Sequence, residues 1–358
     1  MTSLSEGIRT VLPDPTGPPA PGDASAGNAA ARDAAGATSF DRLVAPHRSA
    51  LLAHCYRMTG SLHDAEDALQ EALLRAWRSL DAFEGRSSVR TWLFTIATNS
   101  SRRLIEQRAR RVLPMDLGPP SGPHADAGPP LEEATWMTPF SGAVPAASPP
   151  ARYEDKETVE LAFVAALQLL PARQRAALLL RDVLGFSAAE TAAALDTSVA
   201  SVNSALQRAR RALAENVPQR SQQQALGRLG DAGAKALVGR FVRAWEQGDV
   251  DALVALLAQD VEFSMPPYAL WFRGAQDVGT FLRREPLSGL RRWRGLPIEA
   301  NGQLGVALWV DAGTGFEPEC ITVLTVTGDR VEGVVAFRAP DLFPAFGLPQ
   351  RPPGDDAP

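Results

Sequence analysis

The sequence predicts a multidomain protein: two all-α helical blocks, the second a helix-turn-helix, then a C-terminal α+β domain. Three observations carry this. Apolar residues recur at helical spacing over 40–111 and again over 153–217. Pro- and Gly-rich stretches separate the blocks. Beyond Ala234 short runs of strand type follow one another, with turn signals between them. At 358 residues the chain exceeds one ordinary domain, and 45% hydrophobic residues are enough for real cores.

Residues 1–39 show no periodicity and are expected to be disordered. They lack a basic start followed by an apolar core, so no signal peptide is read there. No apolar run reaches the roughly 18 residues of a membrane helix, and a cytoplasmic protein without membrane contact is expected. A net charge of −5 argues against a simple DNA-coating protein, but local fields must be read by segment. Lys156 and Lys235 are the only lysines; the remaining basic residues are arginines, whose planar fork suits phosphates and base edges. Cys55 and Cys320 lie too far apart to suggest a disulfide framework. His47, His54, His63 and His124 follow no metal-ligand spacing, so neither metal nor cofactor is expected.

In the first block, 40–111, a helix over 62–80 buries Ala65, Leu69, Ala72, Leu73 and Ala76 on one stripe. Asp64, Asp67, Gln70 and Glu71 form its opposite, acidic face. A short loop with Arg86, Ser87 and Ser88 leads into a long helix from Thr91. There Trp92, Thr95, Asn99, Arg102, Arg103 and Arg110 share a face. Guanidiniums interleaved with aromatic and amide groups suit nucleic acid, since they neutralise phosphates and stack on bases. Trp92 fits equally well half-buried against the preceding helix.

In the second block, 153–217, four helices are predicted over 161–170, 173–184, 187–195 and 198–213. Ser187 and Ser198 are N-caps, and Glu190 completes a capping box. The tight turn at Asp196-Thr197 makes a helix-turn-helix. In its last helix Val202, Leu206, Ala209 and Leu213 point inward. Ala200, Asn203, Ser204, Gln207, Arg208 and Arg211 point out, as a major-groove reader requires.

The strings Asp64-Ala65-Glu66-Asp67-Ala68-Leu69-Gln70-Glu71, Phe83-Glu84-Gly85-Arg86 and Val89-Arg90-Thr91-Trp92 resemble the extracytoplasmic-function sigma factors. So do Leu170-Pro171-Ala172-Arg173-Gln174-Arg175 and the run from Ser201 to Arg210, similar to the module that binds the minus-thirty-five element. The resemblance implies that Asp64, Asp67, Gln70 and Glu71 contact core RNA polymerase, on the β′ clamp helices. Contacts to the β subunit belong to the same expectation. It implies minus-ten promoter DNA contacts for Arg86, Ser87, Ser88, Trp92, Asn99, Arg102 and Arg103. Minus-thirty-five contacts fall to Ser198, Ala200, Asn203, Ser204, Gln207, Arg208 and Arg211. Asp196 stands where the family usually has Gly, and Asp tolerates the left-handed conformation. The stretch 112–152, with Trp136-Met137-Thr138-Pro139, is expected to be a flexible linker that threads the polymerase's RNA-exit region.

After a polar connector, 218–233, one helix is predicted over 236–257, with strands over 261–265, 304–310, 320–326 and 331–338. Trp245, Gly248, Pro266-Pro267, Trp271 and Arg273-Gly274 resemble the SnoaL-like branch of the nuclear-transport-factor-like fold, a curved sheet around a conical pocket. Residues 234–346 are assigned to this domain and 347–358 to a disordered tail. Phe263, Trp271, Phe272 and Trp309 are available to line the pocket or to form plain core. The domain has no His, and Glu262, Asp311, Glu317 and Glu319 make no known catalytic pattern, so no enzyme is expected. A regulatory contact between this domain and the sigma modules is expected instead. The competing reading is a stand-alone helix-turn-helix regulator with a ligand-binding or enzymatic C-terminal domain.

Overall fold

A computed structural model describes residues 39–132, 135–142, 156–218, 220–311 and 313–354. The expected disorder of 1–39 falls, up to residue 38, outside them. Two compact units divide the chain, Met1–Pro46 and His47–Pro358. In the first, residues 39–44 are helical. The second unit holds the named helices and strands from Arg48 onward.

Its first layer is helical. α1 (Arg48–Thr59) ends where Gly60 takes φ 71° and returns its N–H to the Tyr56 carbonyl at 2.7 Å. A side chain at Gly60 would also collide with Gln168, 2.8 Å away. α2 (Leu62–Arg78) is capped by Ser61 and α3 (Val89–Glu106) by Ser88, whose hydroxyl accepts from Thr91 N at 3.0 Å. The three helices pack together around Phe94, Tyr56 and Leu51.

The second helical group comprises α4 (Leu161–Gln168), α5 (Ala172–Leu178) with a π-helical continuation Leu179–Val183, α6 (Ala188–Ala194) and α7 (Val199–Asn216). The capping box is formed: Ser187 Oγ accepts from Glu190 N, and the Glu190 carboxylate from Ser187 N. Asp196 has φ 48°, so the turn into α7 survives without glycine.

The connector is not one. α8 runs from Gln222 to Gln247, broken at Gly230 (φ 71°, ψ 162°), which absorbs a kink that other residues resist. Gly248 stops it in the left-handed region, so the helix predicted over 236–257 splits, and α9 (Val250–Leu256) follows. The six strands are β1 (Leu257–Ser264), β2 (Trp271–Arg273), β3 (Arg292–Ala300), β4 (Gln303–Asp311), β5 (Phe316–Thr327) and β6 (Arg330–Phe337). α10 (Ala275–Arg284) lies between β2 and β3. They form one sheet in the order β2-β1-β6-β5-β4-β3, antiparallel except for the parallel pair β1–β6. α8, α9 and α10 cover one face, over a core of Phe241, Trp245, Phe263, Phe281 and Leu324.

Two further expectations are corrected. Within 112–142 the described residues are docked, not free. Val112 pairs with Trp136 in an isolated bridge, Ser121 N donates to Trp271 O at 2.7 Å, and Leu131 N to Pro267 O at 2.9 Å. The tail is packed up to at least Pro352, which is buried, and Pro349 O accepts from Trp309 Nε1 at 3.3 Å. Backbone groups of a Pro-rich stretch satisfied by a neighbouring domain lose the reason to stay solvated.

Candidate nucleic-acid interface

On α7 the outward row is exposed along its length: Ala200, Asn203, Ser204, Gln207, Arg208 and Arg211. Val202, Leu206, Ala209 and Leu213 are buried beneath it. Ser198 is spent as the cap, its Oγ accepting from Ser201 N at 3.2 Å. Arg211 lies 3.2 Å from Glu215 on the next turn, and Arg210, off the row, grips Asp182 at 2.7 Å. The result is a solvent-facing strip of amide, hydroxyl and guanidinium groups on a rigid helix.

The acidic face of α2 is smaller than its periodicity implies. Asp67 and Gln70 are exposed, and Glu71 holds Arg75 at 2.5 Å. Asp64 is not on that face. It is 3% exposed and paired with both Arg108 and Arg111, so it ties the helix to the segment after α3 and is removed from the set of surface contacts. Leu73, placed on the buried stripe, is only half-buried, and Ala68 takes its place.

In the loop before α3, Arg86, Ser87 and Ser88 are exposed, Arg86 lying 3.2 Å from Glu84. Ser88 doubles as the helix cap. Trp92 is half-buried and stacks one face on Phe83, with ring centroids 4.7 Å apart. Arg103 is exposed, while Arg102 is half-buried, its guanidinium donating to Asn99 Oδ1 at 3.3 Å. The Asn99 amide is engaged by the other helical module, donating to Ala194 O at 3.2 Å, and Arg90 donates to Leu184 O at 3.1 Å. Part of the predicted reading face therefore lies against α6.

The modules are joined by groups that periodicity does not flag. Arg175, 4% exposed, donates to the carbonyls of Met58, Gln168 and Leu170 and to Gln168 Oε1. Burial pulls its guanidinium down to about 10. The β3–β4 turn, Asn301-Gly302, reaches furthest. Asn301 (φ 55°, fully buried) accepts from Phe140 N at 2.9 Å and donates to Tyr56 Oη at 2.8 Å and Val159 O at 2.9 Å. Its own N–H donates to Phe140 O at 2.9 Å. Next to it, Gln303 Oε1 accepts from Leu161 N at 2.8 Å, and Lys156 pairs with Glu299 at 2.7 Å. Asn-Gly between two alternating runs is a legible hairpin signal; its buried partners are not.

Of the four aromatics offered to the pocket, only Phe263 lines the cavity beneath the sheet. Trp271 donates to Gly118 O, Phe272 stacks on Phe281 at 4.5 Å, and Trp309 packs edge-on against Phe343. These three are structural, being turned to the linker or the core. No helix among the described residues is long and apolar enough to cross a membrane.

Family models match this chain in three places: Sigma-70 region 2 over 43–111, Sigma-70 region 4 over 160–213, and a SnoaL-like domain over 238–341. The ECF RNA polymerase sigma factor SigG of Mycobacterium tuberculosis is 44% identical over 312 residues, covering 87% of this chain and 84% of that one. The chain belongs to the ECF sigma factors. Its likeness to another, SigJ of the same species, is 29% over 320 residues, 85% of this chain and 93% of that one. The crystal structure of SigJ overlays this sigma factor with a TM-score of 0.53 at 25% identity, covering 88% of this chain and all of that one. Membership removes the stand-alone regulator as a competing reading. The sigma factor thus has two helical modules and a SnoaL-like extension, in that order.

Proposed function

We propose that this sigma factor binds core polymerase through the exposed end of the α2 acidic face, Asp67, Gln70 and Glu71, on the β′ clamp helices. In this reading the Arg86–Ser88 loop and α3 open and read the minus-ten element, and α7 reads the minus-thirty-five element. The observation that carries it is the unbroken exposed row from Ala200 to Arg211 on a capped, rigid helix. The two elements lie about 25 base pairs apart by their names, or about 85 Å at 3.4 Å per pair. In the closed arrangement Asn99 touches Ala194, so the modules must separate before both elements are read. The C-terminal domain then acts as a regulator, with the Asn301 hairpin holding the modules together.

A holding rather than catalytic role is supported by its carboxylates. Glu262 pairs with Arg273, Asp311 with Arg292 and Glu319 with Arg338. The linker's passage through the RNA-exit region would follow the same opening. The test is run-off transcription with bacterial core polymerase and the full chain, comparing wild type with an Asn203→Ala/Arg208→Ala variant. Initiation by the wild type and its loss in the variant are expected. Equal output from core polymerase alone would overturn the proposal.

A further inference from the structure

The run Arg108-Ala109-Arg110-Arg111, just past α3, converges with Arg175 of α5 on one cleft at the seam of the two helical modules. Four guanidiniums line it, and Asp64 is its only lining carboxylate among the described residues. Asp64 is spent on Arg108 and Arg111. From outside the cleft, Asp116 reaches Arg110 at 3.6 Å and the exposed Asp67 reaches Arg108 at 4.0 Å. Arg175, 4% exposed, pairs with no carboxylate among the described residues. Its Nη groups go to Gln168 Oε1 at 2.6 Å and to the carbonyls of Gln168, Leu170 and Met58. It therefore lends the cleft charge but no free donor. A buried cation with neutral partners is unfavourable, and solvent screens the outer acids more than it screens a guest among the guanidiniums.

The donors that a guest can reach are at the rim. The side chains of Arg108 and Arg110 are 44% and 45% exposed, and that of Arg111 is 15% exposed. The cleft encloses about 20 Å³, above the roughly 10–15 Å³ that one oxygen-sized guest requires. It takes the end of a group and leaves the remainder in solvent. A guanidinium fork matches two oxygens of a phosphate. The surplus of positive charge favours a guest with more than one negative charge.

We infer that this cleft is a site for the terminal phosphate of a small polyanion, pyrophosphate or a nucleoside polyphosphate, held by Arg108 and Arg110. Its walls come from both modules, Arg108–Arg111 from the first and Gln168 with Arg175 from the second. The anion thus binds the closed arrangement and opposes its opening. That coupling rests on the opening proposed above; uptake itself needs neither polymerase nor promoter, so the two readings fail separately.

The experiment is isothermal titration of the full chain with pyrophosphate, phosphate and acetate at one ionic strength. Saturable binding is expected, tightest for pyrophosphate and absent for acetate. Arg108→Gln/Arg110→Gln is expected to weaken pyrophosphate about tenfold or more, the worth of one charge-assisted hydrogen bond. Arg273→Gln/Arg283→Gln, which removes equal charge from the C-terminal domain, is expected to leave it unchanged. Cys55 and Cys320 are buried, so spin labels at Glu66→Cys and Ser204→Cys, both exposed, report on the two modules. In an Asn301→Gly background, which lacks the hairpin's side-chain bonds, pyrophosphate is expected to narrow the distance distribution between the labels. No saturable uptake, equal affinity for pyrophosphate and acetate, or an equal loss in both double variants overturns the site. Displacement of pyrophosphate by a mixed-sequence DNA duplex also overturns it, handing the arginines to promoter DNA. Bound pyrophosphate with an unchanged distance distribution overturns the effect on opening.

Discussion

The Asn301 amide and the Tyr56 phenol meet at 2.8 Å although 245 residues separate them. Tyr56 also donates to Thr138 O at 2.9 Å and stacks on Phe140 at 4.6 Å. One hairpin residue thus touches the first helical module, the linker and the entry to the second.

Asn301→Gly keeps the left-handed backbone and deletes three side-chain hydrogen bonds. At about 1 kcal/mol each, more where a buried partner stays unpaired, it is expected to cost about 2–4 kcal/mol in chemical unfolding. Tyr56→Phe removes one of them. A double-mutant cycle between the two is expected to give a coupling of about 1 kcal/mol. Loosening the closed arrangement is also expected to raise run-off transcription at limiting sigma factor.

Asp64 and Asp67 are expected to separate stability from binding. Asp64→Ala leaves the guanidinium of Arg111, a largely buried side chain, without its carboxylate, a loss of about 3 kcal/mol or more. Asp67→Ala, at an exposed position, is expected to stay within about 0.5 kcal/mol in unfolding yet weaken binding to core polymerase. Melting curves and a polymerase pull-down on the same two variants check both.

On α7 the same separation holds. Arg208→Ala is expected to leave the melting temperature unchanged while weakening minus-thirty-five DNA binding and lowering its salt slope by about one if the contact is to phosphate. Ser198→Ala is expected to cost about 1 kcal/mol through the lost cap. Fluorescence anisotropy across a salt series, beside calorimetry, tells them apart.

Glu160 gives a pH signature. Burial pushes its carboxyl up to about 7, although it accepts from Gln223 N at 2.9 Å at the start of α8. A raised folded value means the native state holds this proton more tightly than the unfolded chain. Its stabilising contribution is complete below about 4.5 and is lost as pH rises through about 7. Glu160→Gln is expected to flatten the fall in melting temperature across that window; an identical slope in both proteins would refute the assignment.

Much of the architecture was legible because it rests on local chemistry. The Ser187–Glu190 box, the Ser198 cap and the α7 row each depend on residues within a few turns. Four of the six strands also stood out by their apolar runs. β3 did not: it carries Arg292, Arg294 and Pro297, which the open edge of a sheet tolerates and a central strand does not. Asp64 was misplaced because a helical wheel cannot know that Arg108 and Arg111, 44 and 47 residues on, converge on it. The linker looked free because its composition favours solvation, while the acceptors Trp271 O and Pro267 O come from a distant domain.

Asn301 is made last among the groups it joins, 142 residues after Val159 leaves the ribosome's catalytic centre. At the usual 5–20 residues per second that interval is about 7 to 30 s. During it the nascent helical modules exist without the hairpin that later closes them. Each new molecule therefore passes through an age at which nothing C-terminal restrains it. A chain captured in that interval would hold its modules together only through contacts such as Asn99 with Ala194, without the hairpin.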